Sequence, residues 1–220
     1  MDYSAKNSNF LALFWDLASD EKARRIKAAD GIISHVDHAV NHQQGKNEEG
    51  NMVIDLDYAL KRLVRGLSSS RDSARHGFAT CLSTLLGSGA VTLDIVLPII
   101  DSSTQIRTKM KGGEERDLIF GKLFAYLAIA RSGILANEPD AALDIFMRLL
   151  ELHKMKGWLR EVTSEALVVI LTVMDPSCAS TKEAIQSLEK AAFLADSMDQ
   201  WAPWQLQFAI SLQHFSHHIN

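Results

Sequence analysis

The chain has 220 residues, 47% of them hydrophobic and 23% charged, with a formal net charge of −4. That is enough apolar material for one substantial core or an extended helical array, and the acid excess excludes a generally basic nucleic-acid binder, so attraction to phosphate must come from a local patch. No apolar run is long enough to span a membrane, and the two isolated cysteines, Cys81 and Cys178, give no disulfide framework and suit an intracellular protein.

Helix follows helix along the chain. The pattern predicts a short first helix over 10–18 and a second, capped by Ser19 or Asp20, to about His42. Residues 43–51, QQGKNEEGN, read as a polar loop. In the next segment Leu60, Leu63, Val64 and Leu67 fall at i, i+3, i+4 and i+7, one apolar helix face. A serine turn, Ser68 to Ser70, leads into a second helix whose face carries Ala74, Phe78, Cys81, Leu82 and Leu85. Thr92 caps a helix through Ile100 that Pro98 bends or ends. A polar loop over 102–113 precedes a long helix over 114–136. Pro139 opens a helix to Lys156, and Gly157 separates it from one reaching Met174. Asp175-Pro176 breaks the chain, Ser180 with Glu183 suits a capping box, and Pro203 opens the last helix. No segment alternates with period two, so no sheet is expected. Cys81, Trp15 and Trp158 read as core, and Trp201 and Trp204 as packing anchors.

Candidate chemistry is sparse. Asp55 and Asp57 resemble a two-carboxylate metal pair, but they stand where aspartates favour the positive end of a helix, and that role is preferred. His35, His38 and His42 share one helix side, and His214, His217 and His218 repeat the idea near the C-terminus. Neither set has a second cluster to complete a metal site, so both read as solvated faces. Gly87-Ser88-Gly89 and Gly112-Gly113 lack the Lys-Ser/Thr of a phosphate-binding loop. Hence no catalytic residue, metal or cofactor is assigned. The best candidate is the basic cluster at the hairpin turn: Lys61, Arg62, Arg65, Arg71 and Arg75. It could grip phosphates, with strong salt dependence, or an acidic peptide segment. The structural reading, in which these arginines pair with neighbouring helices, is favoured because they interleave with core positions. Gly66 and Gly77 inside the helical patterns suit close helix approach.

The same residues carry a family resemblance. The run RLVRGLSSSRDSARHGFATCL, with Arg62, Leu63, Val64, Arg65, Gly66, Leu67, Ser70, Arg71, Ala74, Arg75, Gly77 and Phe78 at the motif positions, resembles the signature of the DNA polymerase phi family. FGKLFAYLAIARSGIL, from Phe120 to Leu135, is a weaker echo, and the opening FLALFWDLASDEKARRIKAADGII also suits the family. The resemblance implies an all-α, HEAT- or armadillo-like solenoid, with a compact helical bundle as the alternative. It implies that 1–220 is a single helical-repeat domain forming the N-terminal part of a longer architecture. It further implies a non-catalytic nuclear and nucleolar scaffold in rRNA transcription regulation or ribosome biogenesis. Its partners would be nuclear or nucleolar proteins, with rDNA or RNA as further ones, and no membrane. Sequence-independent nucleic-acid binding is the alternative function, and DNA polymerase activity the least favoured.

Overall fold

A computed structural model describes residues 3–43, 54–136, 138–192 and 201–219. Every regular element among them is helical. The polar loop expected over 43–51 lies outside these residues except for Gln43, which ends a helix. Chain contacts group into two units, Met1–Ser132 and Gly133–Asn220.

The first unit holds α1 (Tyr3–Asp16), α2 (Lys22–Gln43), α3 (Ile54–Gly66), α4 (Asp72–Gly87), α5 (Leu93–Ser103) and α6 (Gly112–Ser132). Helix α1 pairs with α2, and α3 with α4, as hairpins. The second members stack side by side, α2 on α4 and α4 on α6, while α3 packs against α5. Tyr58 of α3 meets Phe10 and Phe14 of α1 at ring distances of 6.3 and 5.7 Å, so first members also lie together. The core is the apolar stripe of each helix: Phe10, Phe14 and Leu17, then Ile32 and Val36, then Leu60, Leu63 and Val64, then Cys81, Leu82 and Leu85, with Leu123, Tyr126 and Ile129 from α6. Burial holds the Cys81 thiol far from ionisation, its pKa raised to about 12, with Asp30 adding to the effect.

The second unit holds α7 (Pro139–Met155), a single 3-10 turn (Gly157–Leu159), α8 (Arg160–Val173), α9 (Ala179–Ala192) and α10 (Pro203–Ile219). Helix α7 packs on α8 and α9, and α10 on α8. Helix α9 thus lies on the first member of the α7–α8 pair and α10 on the second. Both units are all-α, a packing consistent with a helical solenoid or a bundle.

Several elements differ locally from expectation. Trp15 and Trp158 are not core residues: they are 73% and 49% exposed. Phe10, Phe14 and Leu17 already supply the buried stripe of α1, and Trp15 falls one residue off it. Pro98 does not end α5, which continues to Ser103; the proline ring itself is exposed. Helix α6 starts at Gly112 and stops at Ser132, because Gly133 takes φ 84° and turns the chain out of the helix. Ser180 caps nothing, since α9 begins at Ala179; its hydroxyl donates to Asp140 Oδ1 at 3.0 Å and ties α9 to the start of α7. The expected break at Asp175-Pro176 is built around the Asp175 carboxylate, which accepts from the Ser177 N–H at 2.9 Å and its hydroxyl at 2.8 Å.

Candidate functional site: the arginine-bound hairpin turns

The α3–α4 turn is fixed by burial first. Leu60, Leu63, Val64 and Leu67 are fully buried, and Phe78, from α4, lies against Gly66. A Cβ on Gly66 would sit 2.3 Å from the Phe78 ring, and one on Gly77 would sit 2.0 Å from the Leu17 carbonyl oxygen. Gly121 of α6 is equally constrained, since its Cβ would meet Ser68 Oγ at 2.1 Å. These three glycines let α3, α4, α6 and the α1–α2 turn approach closely, as expected for Gly66 and Gly77.

The five candidate cations have different surroundings. Arg75 is 9% exposed. One of its terminal nitrogens donates to the Ser69 carbonyl at 2.6 Å, and the other pairs with Asp72. Its guanidinium lies over Phe120 at 5.1 Å and Phe124 at 5.9 Å, both on α6. Arg71 is exposed and reaches across to the α1–α2 turn, donating to the Ala18 carbonyl at 2.8 Å and to Asp20 Oδ1 at 3.0 Å. Ser73 donates to the same Asp20 oxygen at 2.7 Å. These donors, Ser73 foremost and then Arg71, hold the Asp20 carboxyl below the usual carboxylate range. Lys61 pairs with Asp57 one turn back at 2.7 Å. Arg62 stacks over Trp15 at 5.7 Å. The Arg65 side chain is exposed and has no ion pair or hydrogen bond among the described residues. The turn therefore brings Arg71 and Arg75 into its own architecture, while Arg62 and Arg65 stay on the outer side of α3.

Sequence reading missed a partner of this turn. Arg25, on α2, donates to the carbonyls of Ser19 at 2.8 Å and Asp20 at 2.9 Å. The Glu21 N–H donates to Ser19 Oγ at 3.2 Å, as the Arg71 N–H does to Ser69 Oγ at 3.2 Å. Leu17, Ser19 and Arg25 thus repeat Leu67, Ser69 and Arg75: a buried leucine, a serine two residues on, and an arginine returning to that serine's carbonyl. The spacing Leu-x-Ser-x5-Arg was present twice in the sequence and is the signal that finds it. The two turns lie against each other, joined by Arg71 and by Gly77 on Leu17.

The remaining candidates have local roles. Asp55 and Asp57 stand in the first turn of α3, at the positive end of its dipole. His35 Nε2 meets Asp55 Oδ2 at 3.0 Å, and its ring stacks on Phe10 at 4.1 Å, joining α1, α2 and α3. The side chains of His42, His214, His217 and His218 lie outside the described residues. Among the described residues no three histidine, cysteine or carboxylate side chains gather as a metal site, and no helix is long and apolar enough to cross a membrane. A cavity of about 280 Å³ opens between α2 and α4, lined by Lys22, Arg25, Ile26, Ala29, His76, Gly77 and Thr80.

The second unit contains a buried titratable group that periodicity did not flag. His153 is 3% exposed, with Nδ1 at 2.9 Å from Thr163 Oγ1. The Thr163 hydroxyl also reaches the Leu159 carbonyl at 2.7 Å, tying the ring to the start of α8. Trp204 packs edge-on at 4.7 Å. Burial, helped by the nearby Arg160 charge, pushes the imidazole pKa down to about 4, and the ring is neutral at pH 7.

Comparison with known proteins gives a consistent set of relatives. The family model described as DNA polymerase phi matches residues 58–220. The rDNA transcriptional regulator pol5 of Schizosaccharomyces pombe is 38% identical over 160 residues, covering 69% of this chain and 15% of that protein. A Myb-binding protein 1A-like protein of Danio rerio is 32% identical over 168 residues, 76% of this chain and 12% of the relative. The Myb-binding protein 1A of Homo sapiens is 30% identical over 168 residues, 74% and 11%. The chain thus spans about a seventh or less of the length of these relatives. No solved structure matches.

Proposed function

This chain belongs to the DNA polymerase phi family, and we propose that it works as a non-catalytic helical scaffold in the regulation of rDNA transcription, located in the nucleus and nucleolus and acting by holding protein partners. Its relatives are named for regulation of rDNA transcription and for binding a Myb protein, not for polymerisation. The observation that carries the reading is the use of the family motif itself. Its most buried arginine, Arg75, is spent on the Ser69 carbonyl and two phenylalanine rings, and Arg71 on the neighbouring turn. A motif spent on stacking hairpins supports a protein built to display surface. Sequence-independent nucleic-acid binding, the alternative, has fewer cations to draw on than the sequence offers.

Two measurements test this. The tagged protein, expressed in its own cells, is expected to be enriched on rDNA chromatin, and its depletion to change nascent pre-rRNA output. Absence of both effects refutes the regulatory reading. Purified protein with primed template, magnesium and four nucleotides is expected to extend nothing. Extension that vanishes in Asp55→Ala plus Asp57→Ala overturns the non-catalytic reading.

A further inference from the structure

One surface of the first unit is left exposed by the described residues. Trp15 and Leu11 lie one turn apart on α1 and are 73% and 39% exposed. On α3, Ile54, Tyr58, Arg62 and Arg65 follow at i, i+4, i+8 and i+11, one side of a helix. Ile54 is 78% exposed and Tyr58 40%. Tyr58 touches Phe10 and Phe14, and Arg62 stacks on Trp15, so the two helices run side by side in the same direction and their exposed stripes adjoin. Tryptophan, tyrosine and arginine are the residues that dominate binding energy at protein interfaces, and an apolar patch with a charged rim marks an interaction site.

Charge selects the occupant. Lys61 is neutralised by Asp57, and Asp16 by Arg24. Among the described residues, Arg62 and Arg65 remain as a positive pair without a carboxylate partner, beside four exposed apolar side chains. We propose that this α1–α3 face docks an acidic amphipathic peptide segment of a protein partner, with an apolar side chain against Trp15 and carboxylates on Arg62 and Arg65. The proposal rests on the protein-scaffold reading above and names its partner chemistry. Nucleic acid fits less well: two phosphate contacts give only a shallow salt dependence and weak binding, and Leu11 and Ile54 offer a phosphate backbone nothing. A second copy in two-fold pairing fits less well, because an isologous contact would bring like-charged patches together.

The test uses the full 220-residue chain and labelled peptides of about 20 residues, long enough for an amphipathic helix with anchors at i, i+3, i+4 and i+7. One peptide carries Asp and Glu between Leu and Phe anchors; its counterpart has Asn and Gln in place of the acids. Fluorescence anisotropy is expected to show binding of the acidic peptide and about tenfold weaker binding of the counterpart. Trp15→Ala, and Arg62→Glu with Arg65→Glu, are each expected to weaken the acidic peptide about tenfold or more, with only a small shift of the urea midpoint, since all three residues are exposed and only the Arg62–Trp15 stacking and a helix-end charge are lost. No binding by either peptide, or binding indifferent to these substitutions, overturns the proposal. So does tighter binding of a single-stranded oligonucleotide through the same residues, or self-association abolished by Trp15→Ala. rDNA enrichment that persists without peptide binding removes the docking surface alone. Loss of enrichment with peptide binding intact removes the regulatory reading instead.

Discussion

Replacing Arg75 by alanine removes four contacts from one buried side chain. The bond to the Ser69 carbonyl is charge-assisted and contributes about 1.5–3 kcal/mol. The two phenylalanine contacts contribute roughly 0.5–1 kcal/mol each. The pair with Asp72 adds little, because that carboxylate is 80% exposed. Arg75→Ala is therefore expected to cost about 3 kcal/mol, a fall of roughly 10 °C in melting temperature. Arg75→Lys keeps a charge and one donor but loses the planar fork and its stacking, so about half the loss should remain. Arg65→Ala is the control: an exposed arginine with no partner among the described residues should change stability by no more than about 0.5 kcal/mol. Urea unfolding followed by circular dichroism gives the three values. Arg75→Ala costing less than about 1 kcal/mol, or the same as Arg65→Ala, refutes the argument that the family motif is spent on the turn.

Two further outcomes are expected. Gly77→Ala should destabilise by about 2 kcal/mol in thermal unfolding, despite a helix-propensity gain of up to about 1 kcal/mol, because the new methyl meets the Leu17 carbonyl; stabilisation would show that the two turns separate freely. His153, with a folded pKa of about 4 against 6.5 ordinarily, takes up its proton more readily when unfolded, so its contribution is complete above about pH 6.5 and is lost as pH falls toward 4. That loss is roughly 3 kcal/mol, measured as the difference in urea stability between pH 7 and pH 4 for the wild type minus that for His153→Leu; equal differences in the two proteins would place the imidazole in solvent.

The helices were legible because burial imposes a period. Leu60, Leu63, Val64 and Leu67 mark a face that any packing must cover, and the structure buries all four. The turn at Ser68 to Ser70 was legible for the same reason, lying between two such faces. The arginines were legible as a cluster and not as individuals. Residue type gives a cation's reach but not its direction, so Arg75 against two rings and Arg65 in solvent look alike in the sequence. Arg25 was hidden in the run KARRIK, which reads as a solvated basic stretch until its distance from Ser19 is compared with that of Arg75 from Ser69. Trp15 misled because bulk suggests burial, whereas its position on α1, one residue past Phe14, points it away from the stripe.

The two arginine turns also separate what a growing chain can finish early from what must wait. Arg75 closes on Ser69 six residues away, and Arg25 on Ser19 at the same separation. Each hairpin can set its own bend soon after that stretch leaves the ribosome, since so short a loop closes in well under a microsecond. The bond from Arg71 to Ala18 spans 53 residues, and it needs both hairpins in place. The local bends therefore need far less chain than the seam between them. A lesion at Arg25 would deprive the later hairpin of its seat, whereas a lesion at Arg75 would leave the earlier bend standing.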